Sequence, residues 1–256
     1  MSSYRTDTFR LFTAKSKVKC KAKTLEQRLT RARKKYEQLL AESFCQKFFL
    51  KFRVTIFGSS RIKNPHSEFY KFVFRLTRSL GQTFPVDIVT GGGGGLMLAA
   101  SSGLRAAQKE SPQAGQNIGV LADLKNEIGR NWALDVKENF AYFSTRLEEF
   151  IRISNGIYLA PGGLGTLLET LMFLQLKQKN ILESSFPILA HPFWQPIFNP
   201  AINSMFDFRL LTKQTTLISV EDREMVKFTK SVPEITKIFR KSYEDWLKLK
   251  KTHVGR

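Results

Sequence analysis

VDIVTGGGGGLMLAASSGLRAA, residues 86–107, decides the fold. Its first five residues are short, β-branched and apolar, and read as a strand. Gly91, Gly92, Gly93, Gly94 and Gly95 follow without interruption, and then LMLAASSGLRAA (96–107) reads as a helix of small residues. Without Cβ atoms, the N–H groups of such a turn can approach a ligand closely. The N-terminus of the next helix adds partial positive charge, which suits a phosphate. A tight turn with close helix–strand packing is the alternative, although five glycines exceed what that requires. Leu96 stands where a dinucleotide-binding fingerprint wants its third glycine, and no Gly-Lys-Ser/Thr follows, so the turn is not a P-loop.

The same unit recurs downstream. GIYLA (156–160) reads as a strand, PGGLGT (161–166) as a turn, and Leu164 to about Lys179 as an apolar helix. Gly162, Gly163 and Gly165 expose backbone donors, Thr166 adds a hydroxyl at the helix start, and Glu169 lies about one turn in. A carboxylate beside Leu167, Leu168, Leu171 and Met172 is either exposed by its helical phase or held for work. Two such turns in one parallel sheet would both lie at the carboxyl ends of strands and share a pocket there.

Two further segments belong to that edge. FSTRLEEF (143–150) opens a helix with a capping box, Thr145 with Glu148, and sets Arg146 in its first turn. The helix dipole disfavours a cation there, which points to an anionic partner, either a substrate or Glu169. An exposed Arg146 paired with Glu148 or Glu149 is the alternative, and local sequence does not choose. FGSSR (57–61), after the strand RVTIFG (53–58), offers Gly58, Ser59, Ser60 and Arg61 to a phosphate or sugar. An ordinary strand-to-loop turn fits it equally.

Outward from these units, Asn64-Pro65 starts a helix whose apolar face holds Phe69, Phe72, Val73, Leu76 and Leu80, and Gly81 ends it. NIGVLA (117–122), LDVKENF (134–140) and FPILA (186–190) read as strands, the second with the weakest pattern, and Thr215 to Val220 as a last short one. Strands alternating with helices imply an α/β fold: a Rossmann-like, open, mostly parallel sheet with helices on both faces. This domain spans 51–220, and basic helices over 221–256 pack on it or extend it. Residues 1–23 read as a basic flexible arm. A helix over 24–50 follows, capped by Thr24 with Gln27, and its stripe of Leu25, Leu29, Ala32, Tyr36, Leu39 and Leu40 packs on the main domain.

Composition narrows the classes. A chain of 256 residues with 42% hydrophobic residues builds one sizeable α/β core and is neither disordered nor fibrous. Its net charge of +19 attracts polyanions, though a solvated Lys-rich surface accounts for it as well. Cys20 and Cys45 form no CxxC, and with His66, His191 and His253 they make no metal-ligand cluster. Two reduced cysteines, no hydrophobic signal core and no apolar run near the roughly 20 residues a bilayer requires set the expectation: a cytoplasmic protein with no membrane contact, metal or cofactor. No Ser-His-Asp or Cys-His arrangement stands out. Nucleic acid on the basic N-terminal helix is the weakest partner, because few aromatics interleave its charges.

Together FGSSR, TGGGGGLM (90–97), NFAYFSTRLEEFIRISNGIYLAPGG (139–163) and PGGLGTLLE (161–169) resemble the motifs of the Lonely Guy (LOG) family, the lysine-decarboxylase-like Rossmann proteins, over roughly residues 53–205. PGGLGTLLE matches the family's PGGxGTxxE, a quite specific element. The resemblance implies a phosphoribohydrolase, which cleaves the N-glycosidic bond of a nucleoside 5′-monophosphate to free base and ribose 5-phosphate. The family's catalytic pair falls on Arg146 and Glu169. The glycines of both turns with Thr166 would hold the phosphate, beside Gly58, Ser59, Arg61, Met97 and Pro161. It also implies a homodimer or larger homo-oligomer, with the helix after the PGG turn near the interface. Leu147 stands where the family usually has Lys, and Leu168 and Leu98 where it often has acids, which thins the polar shell. Some relatives carry a phosphorylated cofactor, such as molybdenum cofactor, without hydrolysing it, and the thinned shell suits that alternative.

Overall fold

Arg53–Phe57 form β1, and from Val54 onward every residue is buried. An apolar run without alternation marks a strand covered on both faces. The computed structural model describes residues 22–122, 131–212 and 216–254. In it β2 (Asp87–Thr90), β3 (Asn117–Ala122), β5 (Gly156–Leu159) and β6 (Ile188–Ala190) are buried throughout in the same way. β4 (Val136–Phe140) alternates half-buried with exposed residues, as an edge strand does, which is why LDVKENF carried the weakest pattern. β7 (Lys227–Phe228) closes the other edge.

Among the described residues these seven strands form one parallel sheet in the order β4-β3-β2-β1-β5-β6-β7. The chain winds outward from β1 to β4, then returns to lay β5, β6 and β7 on the other side. The winding reverses between β1 and β5, and open α/β sheets bind ligands outside the carboxyl ends of strands at such a reversal. This is the Rossmann-like architecture that the alternating pattern predicts.

Alternate residues of β1 face two separate cores. Val54 and Ile56 pack with Leu76 and Leu80 of α2 (Glu68–Thr83), Leu104 of α3 (Leu96–Glu110) and Phe239 of α7 (Val232–Val254). Phe57 packs with Phe150 of α4 (Phe143–Ile153), Phe173 of α5 (Leu164–Gln178) and Phe198 of α6 (Gln195–Thr212). Phe52, just before β1, meets Tyr243 and Trp246 of α7 edge-on, at 5.5 and 5.9 Å between ring centroids.

By its contacts the chain separates into two compact units, one ending at Lys47 and one beginning at Phe48. The helix α1 (Ala22–Leu50) supplies the described part of the first, residues 22–47. It is already formed two residues before Thr24, so the expected capping box there does not start it; Ala22 and Lys23 are good helix formers. Residues 1–21, and so nearly all of the expected arm, lie outside the described residues.

Other expected boundaries also move. α2 is capped by Ser67, whose Oγ accepts from the Tyr70 N–H, and not by Asn64-Pro65. Asn64 instead closes the preceding turn, its Oδ1 accepting from the His66 N–H at 2.9 Å. Gly81 does not end α2, which runs on to Thr83. It is buried where an added Cβ would lie 2.6 Å from Leu104 Cδ1 and 2.9 Å from Ala107 Cβ, so it serves the close approach of α3. α4 starts at Phe143, and the Thr145 hydroxyl donates back to the Tyr142 carbonyl from inside the first turn. Residues 216–220 are irregular rather than a strand, and residues 213–215 lie outside the described ones.

The α2–α3 contact is tightest at Gly103, where a Cβ would strike the Phe74 carbonyl and Thr77 Oγ1. Thr77 Oγ1 is itself tied to the Ala100 carbonyl at 2.7 Å. Gly103→Ala must push the helices apart and is expected to cost about 1–3 kcal/mol. Urea unfolding would show it as a lower midpoint at unchanged slope.

Candidate functional site

The first glycine-rich turn is shaped by three residues that face it, Ser59, Arg146 and Met97. Gly92 and Gly95 hold positive φ angles of 76° and 64°, in which other L-residues are strained. A Cβ on Gly95 would collide with the Ser59 carbonyl, and one on Gly91 would lie 2.5 Å from Arg146 Nη2. Met97 closes over the turn, its Sδ 3.0 Å from a Cβ on Gly91 and its Cε 2.6 Å from one on Gly93. Most of the glycine run therefore has a packing reason. The count of glycines alone does not establish a ligand.

Ser59 joins this turn to the second. Its N–H donates to the Pro161 carbonyl at 3.0 Å, and its carbonyl accepts from the Leu96 N–H at 2.9 Å. Gly58, before it, fits between Leu96 and Ala160, whose Cβ atoms would lie 3.1 and 3.2 Å from an added Cβ. The turns after β1, β2 and β5 thus meet at one place on the carboxyl edge. Arg61 is exposed; its backbone N–H donates to Ser59 Oγ at 3.1 Å, and its guanidinium makes no hydrogen bond or ion pair with any described residue.

In the second turn the Thr166 side chain is buried against Gly162, while Gly163 and Gly165 are exposed, with nothing within 4 Å of an added Cβ on either. The first turn of α5, whose N–H groups lack intrahelical partners, therefore has open space in front of it.

Arg146 and Glu169 come together beside these turns. Arg146 is 5% exposed and Glu169 8%, and Nη1 donates to Oε1 at 3.3 Å. Arg146 Nε donates to the Val120 carbonyl at 2.8 Å, and Nη2 reaches the Gly91 carbonyl at 3.5 Å. The Phe150 and Phe143 rings lie 5.1 and 5.7 Å from Cζ. Of the partners open to Arg146 in the sequence, the fold selects Glu169; Glu149 pairs with Arg152 instead. The cation at an unfavourable helix position is explained by an acid 23 residues away.

His191 occupies the same edge, at the end of β6, and its isolation in the sequence gave no signal of this. Its N–H donates to the Leu159 carbonyl at 2.8 Å, and its Nδ1 accepts from the Phe193 N–H at 3.0 Å. Burial, and then the charge of Lys230, hold its pKa below the usual histidine value, so at neutral pH the ring is uncharged with its hydrogen on Nε2. Among the described residues, no group of three or more His, Cys, Asp or Glu could hold a metal ion, and no helix is long and apolar enough to cross a membrane.

Because the Arg146–Glu169 pair is buried, removing one partner strips the other of a counter-charge. Arg146→Met is expected to cost about 3 kcal/mol. A cycle of Arg146→Met, Glu169→Gln and the double variant, measured by thermal or urea unfolding, should return a coupling of roughly 1–3 kcal/mol. Additive losses would show that the contact carries no such energy.

No curated protein matches the chain by sequence. Among solved structures, the molybdenum cofactor binding protein of the phototrophic bacterium Rippkaea orientalis aligns with a TM-score of 0.51 and 19% identity, over 75% of this chain and 96% of its own. The molybdenum cofactor carrier protein of Chlamydomonas reinhardtii aligns with a TM-score of 0.50 and 16% identity, over 76% of this chain and 99% of its own. At such identities the likeness is one of fold. The sequence pattern of the family described as "Possible lysine decarboxylase" matches residues 97–239, a span that holds Arg146, the PGG turn and Glu169. As that pattern covers more than half of it, the chain belongs to the lysine-decarboxylase-like, or LOG-like, family.

Proposed function

We propose that the protein is a nucleoside 5′-monophosphate phosphoribohydrolase. The observation that carries this reading is the buried Arg146–Glu169 pair, set beside two glycine-rich turns that Ser59 ties together. In the reaction water adds across the N-glycosidic bond: the bond from ribose C1′ to the base nitrogen breaks, hydroxyl takes its place, and the base leaves with a proton. Positive charge grows on the ribose as the bond breaks, and the Glu169 carboxylate stabilises it. The same carboxylate orients the attacking water and accepts its proton. Arg146 fixes the carboxylate in place. The phosphate lies at the N-termini of α3 and α5, against Gly93, Gly94, Gly95, Gly163, Gly165 and Thr166, and fixes the sugar's position. Gly58, Ser59, Gly91, Gly92, Met97, Pro161 and Gly162 shape the walls, and Arg61 adds charge at the rim.

The rest of the surface fits this reading. A net charge of +19 draws anionic ligands inward. Leu164, Leu168 and Leu171 lie exposed along α5 at 85%, 48% and 48%, an apolar stripe suited to a second copy of the chain. A cytoplasmic location agrees with a nucleotide substrate.

The second reading is a carrier that binds a phosphorylated ligand without cleaving it. It is favoured by Leu147 and Leu168, apolar residues where the family usually or often places charged ones, and by the folds of the two molybdenum cofactor proteins. One assay separates the two. The folded protein is incubated with a panel of nucleoside monophosphates, and free base is measured by chromatography. The hydrolase releases base, and Glu169→Ala lowers the rate by about 100-fold or more. No release above the Glu169→Ala level rejects hydrolysis, and a ligand-induced rise in melting temperature without turnover supports the carrier.

A further inference from the structure

The aromatic residues nearest the Arg146–Glu169 pair differ in what they face. Phe150 is fully buried and belongs to the core beneath the guanidinium. Phe143, the first residue of α4, also packs against the guanidinium, yet 40% of its surface stays open. It belongs to neither core cluster. Tyr142, which precedes it, is 50% exposed. Both follow β4 directly and so lie on the carboxyl edge, with the glycine turns. An open phenyl face at this position contributes little to folding and offers a stacking surface.

A nucleotide bound by its phosphate at the two helix N-termini, with C1′ facing Glu169, must place its base past the Arg146–Glu169 pair. Phe143 is the exposed ring next to that pair. We propose that Phe143 stacks on the base of the nucleoside monophosphate and is the specificity-determining residue that separates nucleotides from plain sugar phosphates. This rests on the phosphoribohydrolase reading. Leu147, one turn along α4 and half-buried, leaves this side of the site apolar, as a stacking pocket requires.

The test compares two ligands that differ only by the base. Dissociation constants for adenosine 5′-monophosphate and ribose 5-phosphate are measured by calorimetry on the full chain carrying Glu169→Gln, which prevents consumption of the nucleotide. Each is repeated with Phe143→Leu and Phe143→Trp added. Base–aromatic stacking predicts that Phe143→Leu weakens the nucleotide about tenfold or more, leaves ribose 5-phosphate within about twofold, and that Phe143→Trp keeps nucleotide binding. Equal weakening of both ligands would make Phe143 only a support for Arg146 and overturn the proposal. So would unchanged nucleotide affinity, whether or not the mass in solution shifts; a shift would assign the ring to a subunit interface. If neither ligand binds before Phe143 is altered, the phosphoribohydrolase reading itself fails, and that result is distinct from the others.

Discussion

A guanidinium buried at the end of a sheet constrains everything around it. Arg146 has five N–H donors and no acceptor, so burial obliges the fold to bring acceptors to it. The acceptors come from three places: the Val120 carbonyl within β3, the Gly91 carbonyl after β2, and the Glu169 carboxylate on α5. Two phenyl rings fill its flanks. One side chain thus ties together two strands and two helices. Gly91 is part of the same constraint, because any side chain there would take the space the guanidinium occupies.

Ser59 supplies the complementary link through backbone alone. With its N–H on Pro161 and its carbonyl receiving Leu96, it binds the heads of α3 and α5 to the end of β1. The positive φ of Gly95 follows from this, since the turn must pass under the Ser59 carbonyl without a Cβ. The turns that lead into the two helices are therefore both fastened to Ser59 at the reversal of the sheet.

Much of this was legible in the sequence, and the exceptions share causes. NIGVLA coincides with β3 because a strand buried on both faces announces itself as an unbroken apolar run. The parallel character of the sheet, the glycine turns and the PGG element followed from alternation and spacing, whereas the strand order came only with the fold. Helix starts did not: Thr24, Asn64 and Thr145 all have capping chemistry, but a cap is one short contact, and the helix begins before Thr24 and before Thr145 yet only after Ser67 in the case of Asn64. Gly81 was misread because a glycine that admits a neighbouring helix and a glycine that ends its own look alike in sequence. The Arg146–Glu169 contact was visible only as an oddity, a cation where the dipole resists it, with several acids available as partners. The exposure of Phe143 is a property of the folded edge and left no local signal.

The three leucines that depart from the family pattern, Leu98, Leu147 and Leu168, remove charges the family often or usually has there. The Arg146–Glu169 pair is itself buried, with two phenyl rings at the guanidinium, and charges there are screened less than in water. Under the proposed reading fewer fixed charges decide what is bound, and the decision passes to the phosphate at the helix N-termini and to whatever apolar surface meets the rest of the ligand. Under the hydrolase reading this orders the products. The uncharged base is held only by contact with apolar and aromatic groups and leaves first, while the sugar phosphate stays on the backbone donors of both turns and on a chain carrying +19. A site built in this way holds its anion more firmly than it holds the group that the chemistry releases.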